Sequence, residues 1–147
     1  MRLNMQTDFA LRTLMHLAVN TNRRVTISDI SDTFGISKNH LMKVAQALGQ
    51  EGIIATERGR AGGLSLAHAA SDILVGDVVR RMESNAALVE CFPGGAGGCR
   101  ISPTCRLRSA LAEALEAFFR ALDSYSIADL VHGNAPLHDM LAMGESA

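Results

Sequence analysis

The 147-residue chain has no apolar run near the ~20 residues that a membrane-spanning helix requires, so no crossing of a bilayer is expected. It also lacks a signal-peptide layout, since Arg2 and Asp8 flank no clean apolar core and no cleavage site follows. No nucleophile–base constellation stands out, no substrate motif is visible, and the chain does not repeat internally, so no enzyme is expected. Cysteine is scarce: Cys91, Cys99 and Cys105 are the only three. An odd number without a secretory leader argues against a disulfide framework and for the reducing cytosol, hence a cytoplasmic protein. The remaining composition, 48% hydrophobic and 20% charged, is that of a soluble globular chain with a modest core plus an accessory element.

Net charge is only −1, but it is unevenly spread. Residues 1–62 carry eight Lys/Arg against five Asp/Glu, a balance of +3; residues 63–147 carry six against ten, a balance of −4. A basic half joined to an acidic one points the first half toward an anion such as nucleic acid.

Thr7 is the expected N-cap of a first helix over about residues 8–19, where Ala10, Leu11, Leu14, Leu17 and Ala18 recur at helical spacing. Thr26 caps a short helix, Ile27 to Thr33. Gly35 then supplies a sharp turn, and Ser37 caps a third helix to about Gln50 with Leu41, Val44, Ala45 and Leu48 as its buried stripe. Lys38, Asn39, His40 and Lys43 remain on or near the opposite face. Two short helices about a glycine turn, the second polar at its start, fit a helix-turn-helix. Ile53 to Thr56 reads as a strand, Arg58 to Gly63 as a tight turn and Leu64 to Leu66 as the return strand. A hairpin with Arg58 and Arg60 at its tip, directly after a recognition helix, is a wing. Plain structural packing is the duller reading, but basic residues at both the helix start and the hairpin tip favour DNA.

Residues 74–83 predict a linking helix through Leu74, Val75, Val78, Val79 and Met82. Ser102 and Pro103, cap and first-position proline, predict the start of a long helix to about Leu122. Its face of Leu107, Leu111, Leu115, Phe118, Phe119 and Leu122 is too broad for an isolated helix and asks for the same helix of a second subunit. Ser126 caps a short final helix, Ile127 to Val131, and the tail past Pro136 has no assigned order. The expected fold is mainly α with a small β-hairpin wing: a winged helix-turn-helix plus a long dimerisation helix. The expected organisation is a DNA-binding domain with linking helix at 1–83 and a cysteine loop at 84–106. A dimerisation helix with short C-terminal helix follows at 102–131, then a tail at 132–147.

All three cysteines fall in the glycine-rich stretch from Glu90 to Cys105, with seven residues between Cys91 and Cys99 and five between Cys99 and Cys105. Thiols on one loop can converge on one point and bind zinc or an iron–sulfur cluster. Zinc sites commonly use tight C-x2–4-C pairs, and no such pair and no nearby histidine exists here. Inert buried thiols are the dull alternative. The wider spacing suits a cluster, which is larger than one ion. Gly94, Gly95, Gly97 and Gly98 let the backbone wrap closely, and Arg100, Arg106 and Arg108 offset the negative charge of a ligated cluster. Three thiolates are one short of four, and five histidines and several acids are open as the fourth donor.

Six blocks in order carry a family resemblance: Met1-Arg2-Leu3, Thr7 to Arg12, Gly35 to Leu41, Arg58 to Gly63, Gly76 to Val79, and Cys99 with Cys105-Arg106-Leu107. Together they resemble the dimeric winged-helix transcriptional regulators with iron–sulfur clusters, of the NsrR, IscR and RirA type. Ser37 to His40 and Cys105-Arg106-Leu107 look most like the nitric-oxide-sensing branch. That resemblance implies a [4Fe-4S] cluster, with [2Fe-2S] as the alternative. The ligands would be Cys91, Cys99 and Cys105, with Asp8 from the partner subunit as the fourth. An acid in the first turn of a helix is also favoured by the helix dipole alone. The seven-residue Cys91–Cys99 interval instead matches the iron-responsive branch.

The expected protein is a homodimeric transcriptional repressor that releases a palindromic duplex operator when nitric oxide modifies or removes its cluster. An iron- or cluster-status-responsive regulator is the alternative. Ser37, Lys38, Asn39, His40 and Lys43 would face the major groove, and the wing arginines Arg58 and Arg60 would reach phosphates or a narrow minor groove. A small electron carrier and a zinc-stabilised DNA-binding module are the readings from other classes.

Overall fold

Helix α1 spans Met5–Val19 and begins one turn before the sequence expectation. Asn4, not Thr7, is its N-cap: the Asn4 side chain accepts the Thr7 backbone N–H at 2.8 Å. Thr7 is fully buried, and its hydroxyl donates to the Glu83 carboxylate, a partner remote in sequence that takes it out of the capping role. The structure, a computed structural model, describes residues 1–60 and 62–143. Ala61 of the expected hairpin turn and residues 144–147 of the expected tail lie outside the described residues.

Helix α2, Ile27–Phe34, opens on a reciprocal capping box between Thr26 and Asp29 and closes on Gly35 at φ 66°, a left-handed conformation that glycine adopts without strain. Helix α3, Lys38–Gln50, starts at Ser37, whose hydroxyl accepts the His40 N–H. Leu41, Val44, Ala45 and Leu48 are buried on one side of α3, against Leu14 of α1 and Ile30 of α2 in a single core. Strands β1, Ile54–Glu57, and β2, Gly63–Leu66, pair antiparallel with Ile54 opposite Leu66. Val25 adds a one-residue bridge to Leu64, whose N–H donates to the Val25 carbonyl at 2.7 Å. The hairpin is therefore tied to the α1–α2 turn through β2, one residue from its tip.

Helix α4, Val75–Met82, links this unit to α5, Arg106–Asp123. Gly76 lets the two approach, because a Cβ there would collide with the Asp123 carboxylate and lie 2.8 Å from the Phe119 carbonyl. Arg80 locks the joint with two bonds of 2.8 Å to the two oxygens of Asp123. Its guanidinium carbon also lies 4.9 Å from the Phe119 ring centroid. These hydrogen bonds hold the Asp123 carboxyl below the usual carboxylate range. Helix α6, Ile127–Val131, returns to the first half: Ile127 is fully buried, and its N–H donates to the Ile73 carbonyl at 2.8 Å.

Two expectations of the C-terminal half are corrected. Ser102–Thr104 form a separate single 3-10 turn, and α5 starts only at Arg106, because Cys105 is extended at φ −82°, ψ 110° and interrupts the helix. The tail past Pro136 is helical in part. Helix α7, Ala135–Leu141, is capped by Asn134, carries Pro136 in its first turn and buries Leu141. Asn20 at the end of α1 holds it there, donating to the Leu141 carbonyl and accepting the Met143 N–H, both at 2.9 Å.

His16 of α1 is fully buried. Its Nε2 lies 3.2 Å from the Thr33 hydroxyl, while Nδ1 has no partner among the described residues. Burial pushes its pKa down, with Asp29 working upward and Arg23 downward as lesser causes. A neutral native histidine leaves stability intact above the unfolded value near 6.5. Stability is lost as pH falls below it, because the unfolded chain then binds the extra proton. Thermal melts from pH 8 to 5.5 are expected to decline below about pH 6.5 in the native protein and to decline less in His16→Gln. Equal slopes would rule the histidine out as the cause.

Candidate DNA interface and metal-binding loop

Helix α3 presents Lys38, Asn39, His40 and Lys43 on its exposed side, as its apolar stripe requires. Ser37 is exposed too, but its oxygen is engaged as the cap. His40 is not free of the fold: its ring lies 6.0 Å from that of Phe9 on α1. Met42 stands 59% exposed on the same helix, and an apolar side chain off the buried stripe was the signal that the polar reading passed over. Arg58 and Arg60 sit at the exposed hairpin tip. The tip closes through Gly59, at φ 95°, and Gly62, whose N–H donates to the Gly59 carbonyl at 2.9 Å. A Cβ on Gly62 would strike the Glu57 carbonyl, so the turn admits nothing larger there.

Between α4 and α5 the chain runs through turns that coil about the backbone of Glu90. The Gly97 N–H donates to the Glu90 carbonyl at 2.9 Å, and a Cβ on Gly95 would collide with that same carbonyl. Cys91, Cys99 and Cys105 are all half-buried free thiols on this loop. Cys105 is in addition the N-cap of α5, its Sγ accepting the Arg108 N–H at 3.4 Å.

The donor chemistry suits an iron–sulfur cluster, with three soft sulfurs on one loop, but the described residues of a single chain do not complete the site. Among the described residues no three of His, Cys, Asp and Glu are gathered so as to hold a metal ion. The loop folds around a carbonyl rather than around its sulfurs. Asp8 lies on α1 at 48% side-chain exposure, paired with Arg12 through Nη2–Oδ2 at 2.7 Å and Nε–Oδ1 at 3.2 Å. Arg12 lies 5.9 Å from the centroid of the Phe9 ring. Asp8, Arg12, Phe9 and His40 thus touch in succession, from the surface of α1 to the first turn of α3. Glu83, at the threshold of the loop, accepts from both the Asn4 N–H and the Thr7 hydroxyl. That tie between loop and α1 had no local signal, since its partners are more than 75 residues apart.

No residue of α5 is buried, although Leu111, Leu115, Phe118, Phe119 and Leu122 are half-covered and Leu107 is 65% exposed. A groove of about 400 Å³ runs beside it, lined by Leu3, Val79, Leu88, Leu115, Phe118 and Phe119 among others. No described helix is long and apolar enough to cross a membrane.

The model of the Rrf2 family, described as iron-dependent transcriptional regulators, matches residues 3–133. The HTH-type transcriptional regulator NsrR of Geobacillus kaustophilus is 46% identical over 142 residues, 96% of this chain and 97% of its own. That of Bacillus subtilis is 43% identical over 146 residues, covering 99% of this chain and 100% of its own. Among solved structures, T. potens IscR superposes with a TM-score of 0.71 at 20% identity, covering 99% of this chain and 94% of that one. CymR, the global cysteine regulator of B. subtilis, superposes at 0.66 with 21% identity, over 89% and 96% respectively. These two share the winged-helix fold.

Proposed function

The chain belongs to the Rrf2 family of transcriptional regulators and is not an enzyme, and from that premise we propose a homodimeric repressor. It would carry a [4Fe-4S] cluster on Cys91, Cys99 and Cys105 and release its operator in response to nitric oxide. The observation that carries this reading is the double duty of Cys105. The last sulfur of the loop is also the cap of α5, whose apolar face is only half-covered. A ligand set ending there ties the metal to the dimer seam. Nitric oxide as the signal rests on the likeness of residues 37–40 and 105–107 to the nitric-oxide-sensing branch.

In the dimer, the face of α5 from Leu107 to Leu122 packs on its counterpart, and the groove beside it fills. Each α3 enters a major groove. Lys38 and Lys43 take phosphate or guanine, Asn39 an adenine edge and Met42 a thymine methyl, with Ser37 holding the helix start in register. Arg58 and Arg60 reach phosphates or a narrow minor groove from the wing. When bound, the cluster would supply iron reactive toward nitric oxide, and the residues that would hold it are Cys91, Cys99, Cys105 and the partner subunit's Asp8. Asp8 then has two competing roles, pairing Arg12 in its own helix or serving the neighbouring subunit. The exchange changes where Arg12 sits over Phe9, and Phe9 passes that to His40. Two coupled arrangements of this kind are what a switch needs.

The test is an anaerobic absorbance spectrum with iron and sulfide analysis, then titration with nitric oxide while operator binding is followed. A brown protein that bleaches and drops DNA is expected. Asp8→Ala is expected to shift the spectrum and the nitric oxide response; unchanged behaviour would return Asp8 to a helix-surface role. A brown protein indifferent to nitric oxide, but stripped by an iron chelator, would make it iron-responsive. A colourless zinc protein would end the cluster reading.

A further inference from the structure

The wing tip is a poor ligand for DNA on its own. It is exposed and rich in glycine, so fixing it on binding costs more entropy than fixing an ordinary turn. A side chain from outside the hairpin reaches it. Arg24 lies in the α1–α2 turn, next to the bridging residue Val25, and its Nη1 donates to the Arg60 backbone carbonyl. Its aliphatic stem crosses Gly63: a Cβ on that glycine would lie 2.7 Å from the Arg24 Cγ and 2.9 Å from the Val25 carbonyl. The absence of a side chain at 63 makes the channel through which Arg24 passes along the end of β2 to the tip. Thirty-six positions separate the two arginines, and no local pattern connects them.

We propose that Arg24 is a positioning residue for DNA binding: it braces the wing tip through the Arg60 carbonyl so that the Arg58 and Arg60 side chains meet the duplex already ordered. The inference rests on the reading of the hairpin as a DNA-contacting wing. Because the acceptor is a backbone oxygen, truncating the Arg60 side chain leaves the brace intact but gives it nothing to present. That separates bracing from direct contact.

The experiment is a double-mutant cycle on the full-length holo-protein, using a duplex that the unsubstituted protein has selected from a randomised pool. Arg24→Met keeps the stem over Gly63 and removes the donors. It is expected to weaken binding roughly two- to tenfold, the cost of ordering one or two freed side chains, with dimer mass and melting temperature unchanged. In the Arg58→Ala, Arg60→Ala background the same change is expected to cost almost nothing. An equal loss in both backgrounds would show that Arg24 touches DNA itself or supports the fold generally, and the brace would be wrong. No loss in the native background would overturn it too. If the unsubstituted protein selected no duplex, the wing reading would fall first and the brace with it.

Discussion

Cys99→Ala is expected to yield a colourless protein whose affinity for the selected operator falls to its level for unrelated DNA, a loss of about a thousandfold or more. The size follows from the site's narrow margin. The loop supplies only three sulfurs, and among the described residues no three ligands are gathered, so two thiolates and a distant carboxylate would have to hold a cluster that takes four donors. Without it the loop keeps its few bonds around Glu90, and on the proposed reading Asp8 has only Arg12 to pair with. Iron and sulfide assays beside anisotropy titrations read both effects at once. Tight operator binding by the colourless variant would mean that the cluster does not set the DNA-binding geometry.

Gly76→Ala is the second large effect, and it acts on the scaffold. The new methyl would occupy the space of the Asp123 carboxylate and press on the Phe119 carbonyl. Backbone cannot yield as a flexible side-chain end can, so α5 must swing away from α4 and stretch the paired bonds from Arg80. Overpacking of this kind costs about 1–3 kcal/mol, and loss of the bidentate pairing adds to it. A fall in melting temperature of roughly 5–15 °C is expected, together with weaker dimerisation by analytical ultracentrifugation. Gly76→Ala paired with Asp123→Ala should restore part of the loss by giving back space. A single variant as stable as the native protein would mean that α4 and α5 slide past one another freely.

The helix-turn-helix was legible because its signals are local. Thr26 with Asp29, Gly35 and Ser37 each act within four residues, and all three fall where the sequence puts them. The Asp8–Arg12 pair is local in the same way, four residues apart on one helix. What the sequence hid was decided at a distance. Asn4 and Thr7 are both good capping residues, and only Glu83 decides that Thr7 is spent elsewhere. Ser102-Pro103 has the chemistry of a helix start and forms one, but Cys105 stops it after a single turn. Helix α7 escaped notice because it is short and owes its place to Asn20, more than 120 positions earlier. Arg24 was invisible because its partner is a backbone oxygen, which carries no residue identity at all.

A cap that is also a candidate ligand fixes an angle. Because α5 begins at the very residue that would bind metal, the bearing of Leu107, Leu111 and Leu115 around the helix axis is set from Cys105 by counting residues. One residue inserted between Cys105 and Leu107 would turn the whole apolar seam by about 100° relative to the loop. A change of length in the loop before Cys105 would leave that bearing undisturbed. The interval after it has no such freedom: if Cys105 holds a cluster and α5 forms the seam, two residues set the phase between them.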